Sequence, residues 1–593
     1  MKKILYNNLI LFKIYLKIDP KFVIFKQLSS VFQIIQPLSS VYLFKLFLDG
    51  IFVKKSFSYC VNVVGVIIFI NLLAQIVSVL INNRNAPISN QKTNAKITKD
   101  ILNKYLKVDM KNLNNSDFYN KYTQVINDIP NRVILLQDNL CNFLGNILSI
   151  VTVITLIVKI NPIMIIISLV SVIVSLIVTP IINKIGYKSY LEKTKDNRMQ
   201  SYIKRIFYIY DYAKELKLYS INKLLLNQFD AASLNLIKNI KKYSFKNIFF
   251  ILLMGIINLM SFVVILLYLA YNALKGLLTM GEVSALYNAT EQLKADIISF
   301  FSIMPIFMEN NLYVDNYLEF ISINSCIETS AGKELEDFKY IKFDDVSFSY
   351  SQDDNKLSLY NINLVIEKNQ KIALVGSNGA GKSTFVNILV RMFDPLKGNI
   401  YFDDVNYREI NIFSLRKNFL VVLQDCQQYA LTIAENILMR SIESEKDAEI
   451  VIDALKKVGL FEKIMSFDKG INAVLTKEFD DGVILSGGEM QKLFVAKVLA
   501  CDAKIIVLDE VTSNMDAISE HEVFDQILKY AESKTIIYIS HKLSTTKIAD
   551  KIYLFDQGKI MEQGNHEFLM NLRGVYQKMF TVQAEKYGDI SII

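Results

Sequence analysis

The sequence predicts a bundle of membrane-spanning helices followed by a soluble α/β domain, and three observations carry this prediction. The chain has 593 residues, more than one core can hold, and 52% of them are apolar. Apolar runs long enough to cross a bilayer are concentrated before about residue 310. Beyond that point, strand-like runs alternate with glycine loops and helical segments. We therefore expect a membrane domain at 1–325 and a soluble domain at 326–593.

The membrane domain is expected to contain six spanning helices. A span needs about 20 apolar residues; four runs meet that requirement, and a shorter fifth, at 27–44, contains Pro37. The sixth run contains Glu291, Lys294 and Asp296. Topology argues for it, because a lysine-rich start and the soluble domain should share the cytoplasmic side, which requires an even number of spans. Basic residues crowd two long inner connections, so the helices should extend well into the cytoplasm. The expected spans lie at about 22–49, 58–83, 133–158, 160–184, 246–273 and 282–308.

Two polar stripes lie inside these spans. Asp138 and Asn142 lie within the third span. Tyr287, Glu291 and Lys294 share one face of the sixth span. Charges within a membrane are costly and face either a partner or a cavity. For any single residue both interpretations stay open, because Glu291 and Lys294 can simply pair and fix packing. For the stripes as a whole we favour a polar, water-filled translocation cavity.

Charge and cysteine content exclude some other classes of protein. The net charge of +8 fits basic cytoplasmic loops better than nucleic-acid binding. The five cysteines are scattered without a CxxC pair, so neither a disulfide framework nor a zinc site is indicated. The first residues, MKKILYNNLILFKIYLKIDPKF, fit an amphipathic helix on the inner membrane surface better than a signal peptide, since Lys13 and Lys17 interrupt the apolar run.

The soluble domain contains a loop suited to phosphate. KIALV reads as a buried strand, GSNGAGKST follows at once, and a helical run comes next. Glycines let backbone N–H groups approach an anion, and the helix start adds a favourable dipole. Lys382 supplies a cation to the outer phosphates, and the Ser383 hydroxyl can bind Mg²⁺. We expect a nucleotide to be held by Ser377, Asn378, Gly379, Ala380, Gly381, Lys382, Ser383 and Thr384.

Two later strands end in residues suited to hydrolysis. KIIVLDE ends in Asp509, suited to orient Mg²⁺ through water, and in Glu510, suited to act as general base. TIIYIS ends at His541, where a parallel sheet places its site, and this side chain can hydrogen-bond a γ-phosphate. Acidic residues at a strand end are usually solvated, and a lone histidine is usually structural. Beside a phosphate loop, we expect Glu510, His541 and Lys382 to be catalytic.

The order of these motifs from Tyr350 to His541 resembles that of ATP-binding cassette (ABC) transporters of the exporter type, and the resemblance covers the whole chain. It implies a six-span half-transporter with an α/β P-loop nucleotide-binding domain, using ATP and Mg²⁺ and working as a dimer. The presence of both Glu510 and His541 favours a homodimer, although an intact half-transporter can also pair with a degenerate one.

The resemblance also implies roles for residues outside the loop. Tyr350 would stack on adenine, Gln424 would sense Mg²⁺, and Asp516 would lie in a loop, Ser513–Asp516, that crosses the dimer interface. The signature residues Ser486, Gly487, Gly488 and Glu489 would close over ATP held by Lys382 of a second subunit. This sequence departs from the family at Glu489, where glutamine is common, and at Asn514 and Met515 inside the interface loop.

The coupling residues and the substrate are predicted from the family resemblance. By family analogy, Phe118 and Glu215 would lie on inner-loop helices that dock near Gln424 and near 477–478. Tracts such as LQDCQQYALTIAENI are similar to exporters of lanthipeptides and other bacterial peptides, which predicts a peptide or small amphiphile as substrate in a bacterial plasma membrane, with the nucleotide-binding domain in the cytoplasm. A lipid or multidrug exporter is the alternative within the class. An ATP-gated channel or regulator is the alternative from another class.

Overall fold

The computed structural model describes the chain except for Met1 and residues 210–211, 328–330, 352–355, 423–427, 477–478, 480, 510–526, 531–532, 541–542 and 587–593. The chain divides into two units. The membrane unit comprises Met1–Leu106 and Asp117–Ile323, and the soluble unit comprises Lys107–Ser116 and Asn324–Ile593. Residues 107–116 therefore pack with the soluble unit, although the chain joins them on both sides to the membrane unit.

The first part of the chain is helical. Helices α1 to α5 are Lys2–Ile18, Pro20–Asp49, Phe57–Val79, Ala86–Tyr105 and Met110–Leu113, with π-helical turns at Gly50–Lys54 and Leu80–Asn85. Helices α6 to α10 are Ser116–Ile160, Ile163–Tyr208, Ala213–Leu218, Ile221–Leu274 and Met280–Ser322. Four of these have 43 to 54 residues, about 65–80 Å, more than twice the thickness of bilayer hydrocarbon. This length agrees with the predicted extensions beyond the membrane.

Five helices in the described part of the chain are long and apolar enough to cross a membrane. They are Phe57–Tyr105, Ser116–Ile160, Ile163–Tyr190, Ile221–Leu274 and Met280–Ser322. The last of them contains the charged run at 282–308, for which hydropathy alone was ambiguous. The predicted first span lies within the single helix α2, which is not among these five. The predicted total of six spans therefore stays a prediction.

Local sequence determines where α10 begins, and apolar packing holds it in the membrane unit. The Thr279 hydroxyl accepts from the N–H of Glu282 at 3.1 Å, and the Glu282 carboxylate accepts from the N–H of Thr279 at 3.0 Å. This capping box satisfies two N–H groups that a helix start leaves unpaired. A buried cluster then joins α6, α9 and α10 through Val153, Ile157, Ile265, Leu269, Leu286 and Leu293.

The soluble unit is built on two sheets. The first has the order β2-β1-β4-β5 and is antiparallel, with strands Tyr340–Phe348 (β1), Leu359–Glu367 (β2), Lys397–Phe402 (β4) and Val405–Asn406 (β5). The second has the order β10-β9-β3-β8-β7-β6. Its strands are Lys371–Gly376 (β3), Phe419–Val422 (β6), Ile505–Asp509 (β7), Thr535–Ile539 (β8), Lys551–Asp556 (β9) and Lys559–Gly564 (β10).

The second sheet positions the predicted phosphate loop. Strands β9, β3, β8, β7 and β6 run parallel, with β8 between β3 and β7. The sequences of β7 and β8 are buried throughout, as expected for central parallel strands covered on both faces. Because parallel strands point the same way, the ends of β3, β7 and β8 at Gly376, Asp509 and Ile539 lie at one edge of the sheet.

Helices of the soluble unit cover these sheets. Helices α11 to α16 are Lys382–Leu389, Ile412–Lys417, Ile433–Leu438, Glu445–Lys457, Phe461–Met465 and Gly487–Ala500. Helices α17 and α18 are His566–Asn571 and Val575–Lys586. One buried apolar cluster contains residues of α13, α14 and α16 with one side of the parallel sheet. A second cluster contains residues of β1, β2, β4 and α11 with the other side. The parallel sheet is therefore the middle layer of the soluble unit.

Candidate functional site

The loop between β3 and α11 has a backbone that only glycine tolerates at several positions. Gly376, Gly379 and Gly381 have φ angles of 145°, 79° and 103°, in the region that L side chains avoid. A Cβ on Gly376 would lie 2.1 Å from the carbonyl oxygen of Phe555. The N–H of Ala380 donates to the carbonyl of Ser377 at 3.2 Å. The glycines therefore allow a tight turn, which leads directly into the start of α11.

The side chain of Lys382 lies back across this loop. Its Nζ donates to the carbonyl oxygens of Gly376 and Ser377 at 2.8 and 2.9 Å, and the residue is only 6% exposed. A cation is thereby held within the turn at the first residue of α11, where the helix dipole also favours negative charge. This arrangement suits the outer phosphates of a nucleotide.

Ser383 connects the loop to the neighbouring strand β7. Its hydroxyl donates to Oδ2 of Asp509 at 3.2 Å, and Asp509 is 7% exposed at the end of β7. A hydroxyl and a carboxylate are hard oxygen ligands of the kind that Mg²⁺ accepts, with phosphate and water supplying the rest. Within the described residues, no group of three or more His, Cys, Asp or Glu side chains could hold a metal by itself. The residues present therefore fit a metal shared with a phosphate.

Tyr350 lies beside the end of the same loop. Its hydroxyl donates to Oγ1 of Thr384 at 3.3 Å, and its ring meets those of Phe348 and Phe393 edge to face at 4.9 and 5.3 Å. The residue is nevertheless 45% exposed. A ring held on its edges with part of its surface free can stack on a planar base.

The remaining loop residues are more open. The Ser377 hydroxyl lies 3.4 Å from Oδ1 of Asp556, the last residue of β9. Asn378 is exposed, and no atom lies within 4 Å of the Cβ position of Gly379. This part of the turn can therefore admit a ligand without displacing protein atoms.

The signature residues form the start of α16. The Ser486 hydroxyl accepts from the N–H of Glu489 at 3.3 Å, and the N–H of Ser486 donates to the Glu489 carboxylate at 2.8 Å. That backbone N–H lowers the pKa of the Glu489 carboxyl from its ordinary value. Glutamate in place of the family's glutamine thus completes a capping box, a role either residue can fill.

The two glycines of the signature face open space. No atom lies within 4 Å of the Cβ position of Gly487 or Gly488, and both residues are exposed. As the first two residues of a 14-residue helix, they carry N–H groups without partners inside the helix. An exposed helix start of this kind can bind an anion.

Four predicted site residues lie outside the described residues: Gln424, Glu510, Asp516 and His541. The strands that lead to two of them are described. Strand β7 ends at Asp509, directly before Glu510, and β8 ends at Ile539, two residues before His541. Their assigned roles stay predictions.

The polar residues of the sixth predicted span are engaged within the membrane unit. Lys294 contacts Glu291 at 2.9 Å, and the lysine side chain is 8% exposed. The ring of Tyr287 packs edge to face on that of Phe262 at 5.9 Å. The simple pairing of Glu291 with Lys294, which the sequence left open, is therefore formed.

The third span behaves in a similar way. Asp138 contacts Lys26 of α2 at 3.4 Å, with half of the aspartate side chain still exposed. Ser149 donates to Asp296 of α10 at 2.5 Å. Asn142, in contrast, is exposed. Much of the polar stripe thus joins helices to one another, and a cavity role stays a prediction for Asp138, Asn142, Tyr287, Glu291 and Lys294.

The two predicted coupling residues have different surroundings. Phe118 is 8% exposed, and its ring packs on those of Tyr122 and Phe320 at 6.4 and 6.0 Å. It belongs to the interior of the membrane unit rather than to a surface. Glu215 is exposed on the short helix α8, Ala213–Leu218. A coupling role stays a prediction for both residues.

Asp109, which no sequence motif singled out, anchors residues 107–116 in the soluble unit. Its carboxylate accepts from the Ser325 hydroxyl and from the N–H groups of Cys326 and Ile327 at 3.0 and 3.2 Å. Met110, the next residue, packs against the apolar cluster that contains Ile327. The only signal in the sequence was an aspartate directly before a short helical run, Met110–Leu113.

Two family models match this chain. The model described as the ABC transporter transmembrane region matches residues 22–293, and the model described as ABC transporter matches residues 359–513. A bacterial Atm1-family ABC exporter solved with ATP bound has a similar structure, with a TM-score of 0.77 over 96% of this chain and 99% of that one. Its sequence identity is 20%, so the likeness concerns the fold.

The names of similar proteins refer to several kinds of substrate. The subtilin transport ATP-binding protein SpaT of Bacillus subtilis is 26% identical over 545 residues, 89% of this chain and 86% of SpaT. A sophorolipid transporter of Starmerella bombicola is 39% identical over 41% of this chain, which spans only 19% of that protein. An ATP-dependent lipid A-core flippase of Colwellia psychrerythraea is 36% identical over 42% of this chain and 40% of the flippase.

Proposed function

Because the chain belongs to the ABC transporters and carries both their transmembrane region and their ATP-binding domain, we propose that it is a half-transporter whose homodimer hydrolyses ATP to export a ribosomally made peptide. The observation that carries the ATP-driven part is the arrangement of Lys382 across the glycine turn with Ser383 on Asp509. The peptide part rests on the comparison with SpaT. The plasma membrane of a bacterium is the proposed location.

Each residue of the site has a separable task in hydrolysis. The loop N–H groups and the Lys382 ammonium bind and orient the outer phosphates. Ser383 and Asp509 would hold Mg²⁺, which would draw charge from the phosphate oxygens. Glu510 accepts a proton from the attacking water, and His541 hydrogen-bonds the γ-phosphate. Tyr350 stacks on the adenine and fixes the base.

A second copy of the chain completes the site. Gly487 and Gly488 are the first two residues of α16, so their N–H groups have no partner inside the helix and can meet an anion. The described contacts of Ser486 are with Glu489 and Met490 of its own helix. We propose that this surface meets the γ-phosphate held by Lys382 of the partner copy, so that ATP joins the two soluble domains.

A complementation experiment tests the shared site. Lys382→Ala and Ser486→Ala should each abolish ATP turnover in homodimers. If the two residues act across the interface, a mixed dimer contains one site with both residues intact and should recover up to half of wild-type turnover. If they act within one chain, no intact site exists and mixing should recover nothing, which would refute the composite site. Mixing each variant with itself is the control.

The extent of the matches supports a peptide rather than a lipid. The 545-residue match to SpaT is too long to lie within the soluble domain alone and must include membrane helices. The matches to the sophorolipid transporter and the flippase cover 245 and 249 residues, no more than one ATP-binding domain requires. Helices of the membrane domain surround a transported solute, so the longer match carries more weight for substrate class.

Inside-out vesicles containing the full chain test the substrate. We expect a subtilin-type lanthipeptide to accumulate in an ATP-dependent manner, and a fluorescent phospholipid and a cationic dye not to. Glu510→Gln should lower turnover by about 10²–10⁴-fold and abolish uptake while still binding ATP. Lipid movement without peptide uptake would favour the lipid alternative. Passive conductance in the Glu510→Gln vesicles would favour a channel.

A further inference from the structure

A pocket of about 370 Å³ opens in the membrane unit between the start of α2 and the start of α4. Asp19, which caps α2, lines it together with Lys21 and Phe25 of α2, and Ile88 and Lys92 line it from α4. It involves none of the ATP-site residues and none of the polar stripe. Its lining combines two cations with exposed apolar side chains. Such a lining suits a ligand that has both a negative charge and an apolar part.

Hydrogen bonds hold the walls of this pocket. The buried hydroxyl of Tyr15 on α1 shares a hydrogen bond of 3.1 Å with that of Ser89 and donates to Oδ1 of Asn90 at 3.2 Å. Lys26 of α2 donates to Oδ1 of Asn82 at 2.9 Å. The first link joins α1 to α4, and the second joins α2 to the π-helical turn Leu80–Asn85 that leads into α4. The pocket is therefore built into the packing of α1, α2 and α4.

The cations of the pocket have no anion of their own. Lys21 and Lys92 are exposed, and within the described part of the chain neither ammonium has an ion-pair or hydrogen-bond partner. The one acid in the lining, Asp19, accepts from the N–H of Phe22 at 3.2 Å and caps α2. Two positive charges against one engaged carboxylate leave a site for an external anion.

The apolar part of the lining lies where the chain leaves the bilayer. Phe25 is 45% exposed and Ile88 is 50% exposed. The pocket residues of α4 follow α3, a 23-residue apolar helix without a charge, after the single π-helical turn Leu80–Asn85. By the distribution of basic residues this end of α3 is the cytoplasmic end. Anionic lipid headgroups occupy this depth on that side.

We propose that this pocket binds an anionic phospholipid of the inner leaflet, with its phosphate between Lys21 and Lys92 and an acyl chain along Phe25 and Ile88. The charge argument alone would fit free phosphate equally well. The apolar side chains favour the lipid, since a free anion would leave them in water. This lipid is a bound component of the transporter, and the inference does not depend on which solute is exported.

Lipid retention by the purified full chain tests the proposal. The detergent-solubilised protein is incubated with phosphatidylglycerol or with phosphatidylcholine, and bound lipid is counted by native mass spectrometry. Wild type should retain phosphatidylglycerol in preference. Lys21→Gln with Lys92→Gln should weaken retention by about five-fold per lysine removed. Lys13→Gln with Lys17→Gln removes the same charge from α1, outside the pocket lining, and should retain lipid as wild type does.

Two further arms separate the sources of the anion. Phe25→Ala should weaken retention of phosphatidylglycerol while leaving every charge in place, and inorganic phosphate should not displace the lipid. Displacement by phosphate together with no effect of Phe25→Ala would overturn the proposal in favour of a phosphate site. Equal loss in the Lys13 and Lys17 control would also overturn it, because the effect would then be general surface attraction. ATP turnover and elution volume check that each variant is folded.

Discussion

Replacing Asp109 by alanine should disconnect the ATP-binding domain from the membrane helices without stopping hydrolysis. The carboxylate accepts three hydrogen bonds from Ser325, Cys326 and Ile327, and the segment that carries it is covalently continuous with α4 and α6. A bond to a charged group contributes about 1.5–3 kcal/mol. Because Asp109 is only partly buried and the freed N–H groups can meet water, we take about 1 kcal/mol per bond. The total of about 3 kcal/mol lowers the anchoring equilibrium on the order of 100-fold.

Hydrogen exchange of the full chain measures this effect without knowledge of the substrate. In a Glu510→Gln background, addition of ATP should change the rate of amide hydrogen exchange in α4 and α6. Asp109→Ala should raise exchange at 107–116 and at 324–327 and should remove that ATP response, while ATP turnover with Glu510 restored stays near wild type.

Lys111→Gln is the matched control for Asp109, because Lys111 is exposed on the same short helix and should leave both readouts unchanged. Asp109→Asn should be intermediate, since its carbonyl can still accept from Ser325 and Ile327 whereas its NH₂ group faces the N–H of Cys326. An undiminished ATP response of α4 and α6 in Asp109→Ala would refute the anchoring role.

Three other predictions follow from the soluble unit. Ser486→Ala removes a helix cap and should cost about 1 kcal/mol of unfolding free energy, yet ATP turnover should fall by far more than that loss explains. Gly376→Ala places a Cβ 2.1 Å from the Phe555 carbonyl at a φ of 145° and should destabilise the chain by about 3 kcal/mol or more. Arg440, bonded to Asp447 at 2.5 and 2.9 Å, lowers the pKa of that carboxyl. The stabilisation from Asp447 should be present above about pH 4 and lost as the pH falls further.

Each of these predictions has a readout that can contradict it. Thermal unfolding and ATP turnover are compared for Ser486→Ala, and a proportional loss of both would remove Ser486 from phosphate binding. Gly379→Ala is the control for Gly376→Ala, because its Cβ would meet nothing within 4 Å, and equal destabilisation would show that φ alone matters. For Asp447→Asn, melting temperature should depend less on pH between about 5 and 3 than in wild type. Parallel curves for the two proteins would show that the ion pair does not govern acid stability.

Much of the soluble fold was predictable because local sequence patterns identify its strands. Strand β3 precedes a glycine turn that few other structures need, and β7 and β8 are continuous apolar runs, as central parallel strands require. The pairing of Glu291 with Lys294 was likewise visible, since it spans three positions of one helix. These features depend on neighbours in sequence.

The features that could not be predicted join distant parts of the chain. Asp109 meets Ser325 across 216 positions, and Ser149 meets Asp296 across 147. No local pattern distinguishes such a carboxylate from a solvated one. Phe118 was assigned a coupling role by family analogy, and its ring contact with Phe320 of another helix could not be read from its own segment.

The position of Lys382 has a consequence for the speed of the transport cycle. Two backbone carbonyls, of Gly376 and Ser377, hold its ammonium at 2.8 and 2.9 Å. If Lys382 binds the outer phosphates as proposed, its ammonium exchanges carbonyl oxygens for phosphate oxygens, and little side-chain entropy is lost because the lysine is already ordered. When the product leaves, the ammonium of Lys382 can donate to the same two carbonyls again. Release of spent nucleotide is thus assisted by the same turn that captures the fresh one.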